Sequence, residues 1–206
     1  MSRYVVTGTD TGVGKTVVAA GIAGHLGASY WKPVQAGLDE ESDSDAVRRL
    51  TAGRAEVLPE GYRLVTPCSP HEAARIDGLR IDPAGLTLPA GDGPLIVEGA
   101  GGVLVPVNDD TLYADLFVLW RLPVVLVART TLGTINHSLL SLEALRARGL
   151  QVAGVVFSGE ENAASEQAII EFGQCRHLGR LTRLDPLTPG ALAEAVAEKI
   201  RMDLLA

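Results

Sequence analysis

Lysine is nearly missing from this chain. It stands only at Lys15, Lys32 and Lys199, and every other member of the 18 basic residues is arginine. Two of those three lysines fall in motif-like segments, where a compact point charge differs from arginine's planar fork. Cysteine is as scarce: Cys68 and Cys175 lie far apart and fit neither a disulfide framework nor a zinc spacing. Both are expected to be reduced and packed. The four histidines are scattered, so no His/Cys metal site is expected. No apolar run approaches the ~20 residues of a membrane span. Nor does a cationic leader precede the strand-like Tyr4-Val5-Val6-Thr7, and a cytoplasmic protein is expected. The net charge of −7 disfavours a nucleic-acid or anionic-membrane surface, each of which needs a basic patch.

What is present is a regular alternation. Short, almost continuously apolar runs at 4–7, 29–34, 94–98, 123–128, 152–157 and, more weakly, 178–181 predict strands covered on both faces. Between them, helices are expected over 14–25, 45–50, 113–120, 136–148, 164–176 and 189–202. Such alternation predicts an α/β fold, a mostly parallel sheet with helices on both faces. Ligands of these folds bind at the carboxyl ends of the strands. The Pro/Gly-rich stretch 77–94 reads as a long connection inside one domain, 1–206.

The first strand runs into Gly8-Thr9-Asp10-Thr11-Gly12-Val13-Gly14-Lys15-Thr16 and then a helix. That succession is the context of a phosphate-binding loop. Gly12 and Gly14 let backbone N–H groups face an anion at a helix N-terminus. Lys15 can reach β- and γ-phosphate oxygens, and the Thr16 hydroxyl can bind Mg²⁺. The match to G-x-x-x-x-G-K-[ST] is shifted, since the leading glycine is Gly8 and Thr9 takes its place.

A strand ending in Glu98, followed by Gly99-Ala100-Gly101-Gly102, sets a carboxylate on the same ligand edge, where Mg²⁺ takes one or two anionic partners. The acidic run holding Asp43 and Asp45 offers a second carboxylate, or only a helix cap; composition does not choose between the two. Lys32, in Trp31-Lys32-Pro33, is placed to neutralise a phosphoryl group or carboxylate. Gly133-Thr134-Ile135-Asn136 opens a helix whose free N–H groups suit an anion, or are merely capped.

In order and spacing, GTDTGVGKT (8–16), KPVQAG (32–37), SDA (44–46), SPH (69–71), EGAGG (98–102) and LGTINH (132–137) resemble the dethiobiotin synthetase family of P-loop enzymes. The resemblance implies an ATP- and Mg²⁺-dependent ligase that joins CO₂ to 7,8-diaminononanoate and closes a ureido ring. It implies that Gly12, Val13, Gly14, Lys15, Thr16 and Val17 hold the triphosphate. It gives Mg²⁺ to Thr16, Asp45 and Glu98, so choosing Asp45 over Asp43. Lys15, Lys32 and Thr11 act on the reacting groups. Gly99, Ala100, Gly101, Ser158, Thr182, Arg183 and Leu184 follow the nucleotide. Ala36 and Gly99 lie by the substrate, and Gly133, Thr134, Ile135 and Asn136 take its carboxylate from a partner subunit, which implies a homodimer.

Three positions depart from the family pattern. Ser158 replaces an asparagine that reads the adenine, and a hydroxyl lacks the amide's paired donor and acceptor. Ala36 stands where relatives often have Ser or Thr, and Thr182-Arg183-Leu184 lacks an expected proline. Two rivals share the loop variant. Glutamine-dependent amide ligases carry an added glutaminase domain for which this chain has no room. Partition or division-site ATPases show a second lysine where this chain has Asp10, and their membrane-bound members end in a basic amphipathic helix.

Overall fold

Alternate residues of the central strands enter two different cores, which is why their sequences run apolar without a break. In a computed structural model describing residues 2–205, the elements in chain order are β1 (Arg3–Gly8), α1 (Lys15–Leu26), β2 (Ser29–Trp31), β3 (Val34–Ala36), α2 (Asp43–Thr51), β4 (Glu56–Val57), β5 (Tyr62–Leu64), α3 (Pro70–Ile76), β6 (Leu95–Gly102), α4 (Tyr113–Trp120), β7 (Val124–Arg129), α5 (Thr134–Arg146), β8 (Val152–Ser158), α6 (Ala163–Gly173), β9 (His177–Leu181) and α7 (Pro189–Lys199). Seven strands form one parallel sheet in the order β4-β2-β6-β1-β7-β8-β9. Val5, Val97 and Leu126 pack under α4, α5 and α6, whereas Val6, Ile96 and Val127 pack under α1, α2 and α7. No helix among the described residues is long and apolar enough to cross a membrane.

The expected strand 29–34 is divided. Pro33 has no N–H to give to a ladder, so the chain leaves the main sheet after Trp31, and Val34 to Ala36 pair with β5 in a separate two-stranded sheet. Lys32 sits in this break. The helix expected to start at Asp45 starts at Asp43, capped by Ser42, whose hydroxyl oxygen accepts from the Asp45 N–H at 3.2 Å. The helix expected over 136–148 begins two residues earlier and ends at Arg146. The short β4, β5 and α3 lie outside the expected elements. Pro70 at the first position of α3, with Ser69 before it and Glu72 three residues after Ser69, is the sequence signal that marks that helix. Segment 77–94 is a connection, as expected, with one 3₁₀ turn at Pro83–Gly85.

Candidate active site

The carboxyl ends of β1, β2 and β6 meet beside the start of α1, because β2 and β1 flank β6 in parallel register. Gly12 and Gly14 adopt φ of 70° and 92°, which turns the loop between β1 and α1 back on itself. None of the N–H groups from Gly12 to Thr16 donates to another described residue. They are therefore available to an anion, at the positive end of α1. The loop is braced from behind: Arg129 pairs with Asp10 at 2.7 Å, and the Thr11 N–H donates to Asp10 at 2.7 Å.

Lys32 and Glu98 are buried, at 2% and 0% exposure, and face each other from neighbouring strand ends. The Lys32 Nζ donates to Glu98 Oε1 at 2.9 Å and to the Gly99 carbonyl at 3.0 Å, and lies 2.6 Å from Asp43 Oδ2. The Thr16 hydroxyl is 2.8 Å from Asp43 Oδ1 and 2.9 Å from Glu98 Oε1. It carries one proton, so it donates to one carboxylate at a time. The second Glu98 oxygen accepts from the Tyr30 hydroxyl at 2.8 Å. Burial opposes the charge on Lys32, but Glu98 and Asp43 outweigh it and hold the ammonium above the ordinary lysine range. Burial also opposes the charge on Asp43; Lys32 prevails and keeps that carboxyl below its usual range. Lys15 behaves oppositely. Burial, then the positive charge of Lys32, lowers its pKa to about 8.

A cavity of about 670 Å³ opens above these groups. Of the expected residues, Thr11, Gly12, Gly14, Lys15, Thr16 and Val17 line it from the loop. Lys32, Ala36, Glu98, Ala100 and Gly101 line it from the strand ends. Val13 turns its side chain into the core, and Gly99 contributes the carbonyl that holds Lys32. Ser158 ends β8 beside the loop, so close that a Cβ on Gly14 would stand 2.7 Å from its Oγ. Thr182 and Arg183 are exposed just beyond β9, and Leu184 is partly buried. Gly133, Thr134, Ile135 and Asn136 form the exposed turn into α5, outside this cavity, with only Thr134 buried.

One assignment is corrected. Asp45 does not reach the site. It points to solvent, where it accepts from Ser42 Oγ at 2.6 Å and pairs with Arg48 at 2.7 Å. Because Ser42 caps α2, Asp43 and Asp45 are its first and third residues, and positions two apart on a helix face opposite sides. Asp43 is the carboxylate that faces the loop. The signal was present in the sequence: Ser42 followed three residues later by an acid is a capping-box pattern. Gln35 fixes the same helix start by accepting from the Asp43 N–H at 3.1 Å. Tyr30 carried no signal beyond its place in a strand. The expectation of two packed cysteines fails for Cys68, which is exposed at the cavity wall; Cys175 is partly buried.

Thr16, Asp43 and Glu98 present hard oxygen donors, and the two anionic ones each lie within hydrogen-bond distance of the Thr16 hydroxyl. That donor set suits Mg²⁺, which is bound by one or two carboxylates together with phosphate oxygens. A glycine-bent loop with free amides, a lysine at the head of the next helix, and a strand-end carboxylate beside its threonine define a P-loop nucleotide-binding protein.

The comparisons with known proteins agree and narrow this class. A family model described as "AAA domain" matches residues 2–191. The chain is 57% identical to the ATP-dependent dethiobiotin synthetase BioD of Agrobacterium fabrum, over 97% of this chain and 95% of that one. It is 61% identical to a Rhodopseudomonas palustris protein of the same name, over 94% and 92%. Solved structures of a ParA family ATPase from Chlorobium tepidum (TM-score 0.58, 11% identity, 99% and 93% covered) and of Pyrococcus furiosus cell division ATPase MinD (TM-score 0.56, 14% identity, 96% and 99% covered) share the fold. The chain belongs to the dethiobiotin synthetase family and is an ATP-dependent ligase of biotin synthesis.

Proposed function

We propose that this chain carboxylates 7,8-diaminononanoate with CO₂ and closes the ring with ATP, giving dethiobiotin. The observation that carries the reading is the meeting of Lys32, Asp43 and Glu98 at the Thr16 hydroxyl, on the wall of one cavity. In this reading one substrate amine adds to CO₂ and loses a proton, forming a carbamate. A carbamate oxygen attacks the γ-phosphorus, the bond to ADP breaks, and a carbamic–phosphoric mixed anhydride results. The second amine attacks the carbamate carbon, and phosphate leaves as the ring closes.

These steps ask for positioning and charge neutralisation more than for proton transfer by side chains. The free N–H groups from Gly12 to Thr16 cradle the triphosphate, and Lys15 answers its charge. Lys32 supplies the cation nearest the carbamate and the transferring phosphoryl group. Thr16, Glu98 and Asp43, rather than Asp45, would hold Mg²⁺, which when bound would draw charge from the β- and γ-phosphate oxygens.

The substrate carboxylate is assigned to the turn Gly133, Thr134, Ile135 and Asn136 of a partner subunit. Support for a homodimer comes from Leu104 and Leu140, exposed at a second cavity of about 400 Å³, and from Leu132 and Ile135, exposed at the turn into α5. Large apolar side chains exposed together, as Leu104 and Leu140 are, favour a protein contact. ADP release is the test of the whole reading. It is expected only when ATP, Mg²⁺, diamine and bicarbonate are all supplied. ADP formed at an undiminished rate without the diamine would overturn it.

A further inference from the structure

The two carboxylates beside the loop already share a cation, and that cation is a side chain. Lys32 Nζ stands 2.6 Å from an Asp43 oxygen and 2.9 Å from a Glu98 oxygen. That Glu98 oxygen is the same Oε1 that lies 2.9 Å from the Thr16 hydroxyl, whereas Oε2 is held by Tyr30. Glu98 therefore has one oxygen fixed from the core and one turned to the loop. Thr16 faces Asp43 Oδ1 while the ammonium holds Asp43 Oδ2, so a divalent cation bound to Thr16, Asp43 and Glu98 would contend with the ammonium for one oxygen, Glu98 Oε1. Two cations on that one buried oxygen repel each other where solvent screens little, which favours one occupant over the other.

We infer that the Lys32 ammonium and the divalent cation are alternative occupants of Glu98 Oε1. Loading the metal with nucleotide turns Lys32 away from Glu98 and into the cavity it already lines. The anchoring of Glu98 Oε2 by Tyr30 lets the exchange proceed without loss of that carboxylate's aim. The inference rests on the magnesium role given above to Thr16, Asp43 and Glu98, and it gives Lys32 its reacting position only after the metal has arrived. A site with no metal would thus keep its second lysine out of action.

The chain's three lysines make the exchange directly visible. The full protein labelled with ¹³C at lysine Cε gives three signals, and Lys15→Arg and Lys199→Arg identify the one from Lys32. With ADP bound, adding Mg²⁺ is expected to shift the Lys32 signal in step with metal binding followed by calorimetry. A Lys32 signal that stays fixed while the metal saturates would overturn the proposal. In a second measurement, Lys32→Met is expected to bind Mn²⁺ in the presence of ADP at least tenfold more tightly than the unaltered chain, because the competing cation is gone. Equal or weaker Mn²⁺ binding by a folded Lys32→Met protein would count against it; if that variant does not fold, the labelled unaltered chain decides. Neither measurement uses diamine or bicarbonate, so failure of the proposed overall reaction and failure of the exchange are separate results.

Discussion

Asp43 and Asp45 lie two residues apart, carry the same charge, and are expected to differ sharply when neutralised. Asp43→Asn removes the charge that lies 2.6 Å from buried Lys32 and alters the 2.8 Å contact with Thr16. A hydrogen bond to a charged group contributes about 1.5–3 kcal/mol, and Asp43's side chain is 32% exposed. At roughly 2–4 °C per kcal/mol for a chain of this size, the melting temperature should fall by several degrees. With Asp43 as one of the two anionic ligands proposed for Mg²⁺, its loss should also raise the Mg²⁺ concentration for half-maximal activity at least tenfold, about 1.4 kcal/mol. Asp45→Asn loses a pair with Arg48 in which both side chains are about half exposed, 53% and 49%. Such pairs contribute at most about 1 kcal/mol, so its melting temperature should move little and its metal titration not at all. The assay is a Mg²⁺ titration of ADP release at saturating ATP, with a thermal melt of each variant beside it. An Asp45→Asn protein whose metal requirement rises as much as that of Asp43→Asn would refute the geometric argument and return the site to the family pattern of SDA.

Other expectations follow from the same geometry. Lys15, with a pKa lowered to about 8, is mostly neutral at higher pH, while a bound triphosphate favours its charged form. Triphosphate binding should therefore take up roughly 0.7 proton at pH 8.5, and affinity should weaken as pH rises above 8; calorimetry in buffers of different ionisation enthalpy reads this directly, and binding without proton uptake would reject it. Lys32→Ala is expected to lower turnover by orders of magnitude while nucleotide binding survives, which single-turnover and nucleotide-binding measurements separate. Ser158, beside the loop at the end of β8, offers a hydroxyl where an amide would read a base, so ATP should be preferred only weakly in a side-by-side nucleotide panel. A strong ATP preference would sink that last idea. Charging the exposed apolar face with Leu132→Asp and Leu140→Asp together is expected to shift the protein to monomer in sedimentation and to lower activity without unfolding it.

The sequence by itself determined the architecture. A β-branched strand, a glycine-bent loop and a helix in immediate succession leave little choice of fold, and continuously apolar strands require cover on both faces. It also determined the loop, Lys32 and Glu98 as candidates, because each ends a strand in a fold whose ligands bind at strand ends. Short elements escaped it: β4 has two residues and β5 three, too few for any periodicity to register. The choice between Asp43 and Asp45 needed the helix phase, which one residue, Ser42, sets by taking the cap; a shift of two positions reverses which acid faces inward. The hold of Tyr30 on Glu98 spans 68 positions of sequence, and that of Lys32 on Glu98 spans 66. Both contacts exist because β2 and β6 are neighbours in the sheet, and strand adjacency is a property of the folded topology, decided only when the crossovers have packed.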